Sequence, residues 1–161
     1  MLRGESLRSL HDEVPGEGGV TMSEIKTNRG TTVVTVISVL MVLEAITFLV
    51  AALLHLGIQL PLGFSEPQII PATIVEGLCG IFLAVSAYAV IARKTWAWGG
   101  AVAAHVFAVA GVLLGITALA LGAGPSTEAN TIYHRTILVV LVAVLALLAT
   151  PGARVAMGRG D

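Results

Sequence analysis

Charged side chains are scarce in this chain of 161 residues, of which only 12% are Asp, Glu, Lys or Arg. A soluble domain carries about twice that fraction, whereas 56% of the residues here are apolar. The basic and acidic residues nearly cancel, which excludes the polybasic surface of a nucleic-acid-binding protein. The composition therefore predicts the lipid bilayer as the main surroundings of the folded chain.

Cysteine is nearly absent as well. Cys79 is the only one, so no disulfide can form within the chain, and cysteine usage does not identify the compartment. The residue lies inside an apolar run, and we interpret it as a small packing residue.

Long apolar runs take the place of the missing charge. Four of them approach or exceed the roughly 20 residues that a helix needs to cross a bilayer. The connector between the second and third runs is short, which favours antiparallel neighbours. We predict an all-α integral membrane protein with a four-transmembrane-helix antiparallel bundle at residues 32–150. The predicted spans are approximately 32–57, 70–92, 97–122 and 131–150.

The two ends of the chain differ from the spans. Residues 1–31 mix charges with Gly, Pro and Ser and predict a disordered cytoplasmic tail, and residues 151–161 predict a short second tail. No apolar segment of a signal peptide precedes the first span, which is predicted to be an uncleaved anchor. Met22 follows Gly16-Glu17-Gly18-Gly19, which a purine-rich tract would encode. We therefore predict that residues 1–21 are a translated leader and that Met22 is the native start.

Lysine and arginine placement predicts the orientation. These residues precede the first span, occupy the middle connector as Arg93 and Lys94, and follow the fourth span, whereas only Arg135 falls on the other side. Both termini are therefore predicted to be cytoplasmic in a multi-pass protein of the inner or plasma membrane. Trp96 and Trp98 are predicted to lie in the inner aromatic belt, and Tyr133 at the outer interface.

Glu44 lies near the middle of the first span, whose only other ionisable side chain is His55. A carboxylate at mid-membrane is costly and is by default a functional candidate. His55 is eleven positions after Glu44. At about 100° per residue they lie roughly 20° apart, so they share one face of the helix.

Three further titratable side chains lie in the later spans. Counting helical rise places His105 within about one turn of the depth of Glu44, so the two can pair. Glu76, His55 and His134 lie nearer the outer surface, where a second cluster is equally plausible. Carboxylates and imidazoles at different depths are the residue types of proton relays, so all five are candidate intramembrane polar sites.

Each candidate also has a structural interpretation. Glu44 can be a neutral acid that is hydrogen-bonded to a neighbouring helix, and His105 can be an interhelical hydrogen bonder. His55 and His134 can reach towards the interface. Histidines on separate helices can also bind haem or copper, but no paired-histidine spacing or Cys/His/Met motif repeats.

A stripe of small residues runs along the third span. Such a stripe lets helices approach closely in lipid, and it includes one GxxxG pair. The sequence leaves open whether the stripe faces a helix of the same chain, which we favour, or a second copy in a homo-oligomer. Its members are Gly100, Ala104, Ala108, Gly111 and Gly115.

Three short segments resemble the DoxX-like group of small four-span bacterial membrane proteins. They are residues 53–56 (LLHL), 76–80 (EGLCG) and 98–105 (WGGAVAAH). The resemblance implies an accessory membrane subunit that works with a membrane or soluble redox enzyme, near quinone. It carries over no catalytic residue, and we expect a protein that is not itself an enzyme.

Two other functions compete with that prediction. The small multidrug resistance transporters also have four spans and a central glutamate in the first, and Glu44 alone carries that similarity. It implies a proton-coupled transporter of small molecules, which we rank below the accessory role. The third alternative is a membrane scaffold without chemistry of its own.

Overall fold

The computed structural model describes residues 22–61, 65–125 and 127–158, with side chains from Gly30 onward. Every long element in these ranges is a helix. The prediction that residues 1–21 are a leader lies outside the described residues. The helices are α1 (Met22–His55), α2 (Ile70–Ile91), α3 (Ala97–Ala120), α4 (Glu128–Ala149) and α5 (Pro151–Ala156).

Four of these helices are long and apolar enough to cross a membrane, so within the described residues the prediction of an all-α, multi-pass arrangement is confirmed. Their apolar spans begin or end within three residues of the predicted limits. Large apolar side chains such as Leu43, Leu114 and Val139 face outward, as lipid permits. The spans are Gly30–His55, Ile70–Ile91, Ala97–Ala120 and Glu128–Ala149.

Helical structure extends beyond the predicted spans at both ends. Helix α1 begins at Met22, so residues 22–31, which we predicted to be part of a disordered tail, are helical. That segment contains no proline, and nothing in it interrupts the helix that enters the first span. At the other end, Thr150 has extended backbone angles before Pro151, which ends α4 and starts α5 within the predicted tail.

The spanning helices contact one another as a ring. Helix α1 packs against α2 and α4, and α3 packs against the same two helices. Helix α5 lies against the first part of α1, where a Cβ built on Gly30 is 3.6 Å from the Ala156 Cβ. The Trp98 indole donates to the Leu148 carbonyl at 2.9 Å, and the Arg154 guanidinium lies 5.5 Å from the centre of the Trp98 ring.

Two clusters of buried apolar side chains fill the ring. The α5-end cluster consists of Ile37, Met41, Ala87, Ala89, Val90, Ala97, Ala101, Val144, Leu148, Ala153 and Met157. The mid-helix cluster consists of Ala45, Phe48, Cys79, Leu83, Ala104, Ala108, Val112, Ile137 and Leu141. Cys79 is thus a buried packing residue.

The small-residue stripe of α3 faces helices of the same chain. Ala104 and Ala108 are buried in the mid-helix cluster, and the Gly100 carbonyl accepts a hydrogen bond from Ser86 Oγ of α2 at 3.0 Å. A Cβ built on Gly111 would lie 2.9 Å from Val75 of α2, and one on Gly115 would lie 2.8 Å from His134 Nε2 of α4. The two glycines of the GxxxG pair therefore allow close contact with two different helices, α2 at Gly111 and α4 at Gly115.

Gly80 holds α1 and α2 in close contact and provides a packing test. A Cβ at Gly80 would lie 2.8 Å from Leu49 Cγ and 3.2 Å from the Ala45 carbonyl oxygen, whereas a Cβ at Gly99 meets nothing within 4 Å. We expect Gly80→Val to lower the free energy of unfolding in detergent by about 1–3 kcal/mol, because overpacking forces the helices apart. Gly99→Val, with the same change in side chain, should lower it by less than about 1 kcal/mol. Equal losses in the two variants would contradict the close α1–α2 contact.

Candidate functional site

Glu44 of α1 and His105 of α3 form a buried pair. The Glu44 Oε2 and His105 Nε2 atoms are 3.0 Å apart, and the two residues are 2% and 0% exposed. The other ring nitrogen, Nδ1, donates to the Ala101 carbonyl oxygen at 2.7 Å, one turn earlier on α3. The structure therefore brings together the two residues that the depth count placed at similar levels.

These contacts determine how many protons the pair holds. A carbonyl oxygen can only accept, so His105 Nδ1 carries a proton. Nε2 then either accepts from a protonated Glu44, or carries a second proton and donates to a Glu44 carboxylate. Both arrangements contain one shared proton between Nε2 and Oε2, and both have zero net charge. The pair is thus electrically neutral as a unit.

Apolar side chains close the Glu44–His105 pair on both sides along the helices. Met41 and Ala101 belong to the α5-end cluster, and Ala45 and Ala104 belong to the mid-helix cluster. The second carboxyl oxygen, Glu44 Oε1, is buried without a hydrogen-bond partner among the described residues. The pair is therefore enclosed away from water in this conformation.

A second carboxyl–imidazole pair joins the end of α1 to the beginning of α2. His55 Nδ1 lies 2.7 Å from Glu76 Oε2, and both side chains are buried. The Ile69 amide donates to the His55 carbonyl at 2.9 Å, which holds the two helix ends together. His55 Nε2 and Glu76 Oε1 have no partner within the described part of the chain.

The two pairs are separated by apolar packing. His55 is eleven positions after Glu44 on α1, which is about 16 Å of helical rise. Phe48 of α1 and Cys79 and Leu83 of α2 lie in that interval and belong to the mid-helix cluster. Sharing a helical face therefore does not bring Glu44 and His55 into one connected polar column.

His134 stays apart from both carboxyl groups. Its Nδ1 donates to the Asn130 carbonyl at 2.9 Å, and its ring packs on Gly115 and edge-on against Tyr133, with centroids 5.1 Å apart. The structure thus places four of the five sequence candidates in two pairs and assigns His134 a contact between α3 and α4.

A cavity of about 180 Å³ lies beside His55. Asn130 and Tyr133 of α4 line it from the opposite side, together with Glu66 from the loop before α2. Asn130 Oδ1 and Tyr133 Oη are buried without partners among the residues that the structure describes. Tyr133 thus contributes to the interior, whereas its sequence position indicated only an interface anchor.

Glu66 is held at the start of α4. Thr127 Oγ1 donates to its carboxylate, with distances of 3.0 Å and 2.8 Å to the two oxygens, and accepts from the Asn130 amide at 3.0 Å as the helix cap. A carboxylate is favoured beside a helix N-terminus. We did not single out Glu66 or Asn130 from the sequence. The available signals were weak: one acid in the first long loop, and a Thr three residues before an Asn.

The described residues offer no ready-made metal centre. No three His, Cys, Asp or Glu side chains among them lie close enough together to hold an ion. Both ring nitrogens of His105 already take part in hydrogen bonds.

Comparison with protein-family models, with curated proteins and with solved structures finds no match for this chain. The functional argument therefore rests on the chain's own residues and contacts. The DoxX-like resemblance stays a prediction from the three short segments that carry it.

Because the Glu44–His105 pair is neutral, the effect of Glu44→Leu on the free energy of unfolding should depend on whether His105 is present. Glu44→Leu should lower the free energy of unfolding by about 1–3 kcal/mol, because His105 Nε2 loses its buried partner. In a His105→Leu background the same change should be neutral or stabilising, because it then removes an unpaired buried acid. Glu44→Gln should cost less than Glu44→Leu, since its amide can donate to Nε2. Denaturant unfolding in detergent measures each step, and additive losses would contradict the pairing.

Proposed function

We propose that this protein is a proton-coupled transporter of a small polar solute, with Glu44 and His105 as its central proton-binding pair. The observation that carries the proposal is the presence of two buried carboxyl–imidazole pairs at two depths, one of which adjoins a cavity. Intramembrane ionisable residues of these types are expensive and are typical of proton pathways.

The neutrality of the Glu44–His105 pair provides a means of coupling. Adding or removing one proton would leave a net charge among the α5-end and mid-helix clusters, which is strongly unfavourable in an apolar interior. Proton exchange therefore requires a conformation that opens the pair to water. A change of conformation that is linked to a change of protonation is what a proton-coupled carrier needs.

The apolar packing between the pairs has a role in the same proposal. Phe48 and Leu83, both almost fully buried, lie between the Glu44–His105 pair and the His55–Glu76 pair. An uninterrupted polar column would conduct protons without a solute. The interruption suits a closed intermediate in which neither proton site is continuous with both membrane surfaces.

The orientation belongs to this proposal. We place the four spans antiparallel in an inner or plasma membrane, with both termini in the cytoplasm. Lysine and arginine placement supports this orientation. It is also supported by the proximity of Gly30, where the first span begins, to Ala156 of α5. The cavity beside His55 then opens towards the outer surface.

A membrane scaffold is the second candidate. The enclosure of Glu44 and His105 favours it, because joining α1 to α3 requires neither water access nor a change of protonation. The accessory redox role stays a prediction of the resemblance. A mild-detergent pulldown followed by an absorbance spectrum of the eluate tests that role. The pulldown would recover an associated oxidoreductase, and the spectrum would reveal a bound pigment.

Solute-evoked proton movement tests the transport proposal. The full chain is reconstituted into vesicles that contain a pH-sensitive dye, and ethylammonium, acetamide, acetate or glycerol is added outside. We expect at least one solute to evoke a pH change beyond that of protein-free vesicles. Glu44→Gln should reduce this signal at least tenfold, because an amide side chain does not bind or release a proton near neutral pH. Retention of the signal in that variant would remove Glu44 from the mechanism.

The matched control is Glu128→Gln, which makes the same substitution at an exposed residue of the same type. It should keep the wild-type signal. Circular dichroism and gel filtration establish that both variants fold. If no solute evokes proton movement through folded wild-type protein, the scaffold interpretation replaces transport.

A further inference from the structure

The cavity beside His55 has the size of a small-solute site. Its volume of about 180 Å³ equals roughly six water molecules at about 30 Å³ each. Residues of α1 form one wall, and Asn130 and Tyr133 of α4 form the other. Glu66 lies at the loop side, where Thr127 fixes its carboxylate.

Three buried polar atoms on its lining residues lack partners within the described residues: His55 Nε2, Asn130 Oδ1 and Tyr133 Oη. His55 and Asn130 are only 2% and 5% exposed. Leaving one such atom unpaired is costly, and native structures contain few of them. All three belong to residues that line one cavity, so a solute with hydrogen-bonding groups in that cavity would be the nearest source of partners.

The chemistry of the lining favours a cationic donor. Glu66 supplies carboxylate oxygens and Asn130 supplies an amide oxygen, and both groups accept hydrogen bonds. Among the described residues no lysine or arginine lines the cavity. Of the described lining residues only His55 is basic, and its Nδ1 is paired with Glu76. The Glu66 carboxylate therefore has no cationic partner on the lining and selects for a group that carries N–H donors and a positive charge.

The remaining walls suit a short hydrocarbon stem. Ala51 and Leu54 of α1 present apolar surface to the cavity. Tyr133, whose ring packs against Phe48 at a centroid distance of 6.4 Å, also lines the cavity, and aromatic rings attract cations. The volume accommodates a guest of a few heavy atoms.

We infer that this cavity binds small alkylammonium ions, with Glu66, Asn130 and Tyr133 as the residues that contact the ammonium group. The inference deepens the proposed transport function and rests on it for the role of the bound solute. Binding itself needs neither a membrane nor a proton gradient, so it can be measured separately.

Titration calorimetry on the detergent-solubilised full chain tests the site. The probes are ethylammonium, ethanol and acetate, which are similar in size but carry positive, zero and negative charge. We expect ethylammonium to bind at least tenfold more tightly than the other two. Glu66→Gln should weaken ethylammonium binding at least tenfold, because the charge-assisted hydrogen bond becomes neutral. Tyr133→Phe should weaken it by a smaller factor.

Glu128→Gln is the control for charge, since it removes one carboxylate from an exposed position at the start of α4. It should change the affinity less than threefold. Equal binding of ethylammonium and ethanol, or an unchanged affinity in Glu66→Gln, would overturn the site and leave a water-filled cavity.

The two proposals fail in different ways. If ethylammonium binds as expected but no solute evokes proton movement in vesicles, the site stands and transport is wrong. If acetamide or glycerol evokes Glu44-dependent proton movement while ethylammonium does not bind, transport stands and the alkylammonium site is wrong.

Discussion

The cost of an unbalanced charge in an apolar interior is the constraint on which this bundle depends. Glu44 is placed where water cannot reach it, and His105 makes the resulting unit neutral by sharing one proton with it. Their contact joins two helices that are not neighbours in the ring, since α1 and α3 each pack against α2 and α4. The small side chains of Ala101 and Ala104 on α3 are buried on either side of the pair.

The same constraint connects structure to the proposed activity. A neutral enclosed pair resists any single proton transfer, so protonation has to follow a change in packing around Phe48, Leu83 and their neighbours. The His55–Glu76 pair is placed differently, because a cavity adjoins it. The interior thus contains one closed proton site and one site beside a space large enough for a solute. This difference favours a carrier over a passive arrangement of buried acids.

The polar groups at the start of α4 are held by contacts between segments that are distant in the sequence. Glu66, Thr127 and Asn130 form a short chain of hydrogen bonds across the loop and the start of α4. This chain fixes a carboxylate beside unpartnered atoms of the cavity. None of the three residues is unusual in a loop or at a helix start, so their residue types alone do not indicate a site. Only contact between segments that are 61 residues apart reveals it.

Local properties of the sequence determined the spans, since helix length and hydropathy depend on consecutive residues. They also determined that Glu44 and His55 share a face, because helical phase is a property of one helix. Tertiary structure decided which partner each residue meets: His105 for Glu44, and Glu76 for His55. It also decided that Phe48 and Leu83 interrupt the polar face. The physical reason is that partners and gaps arise from the packing of separate helices, which neither phase nor hydropathy encodes.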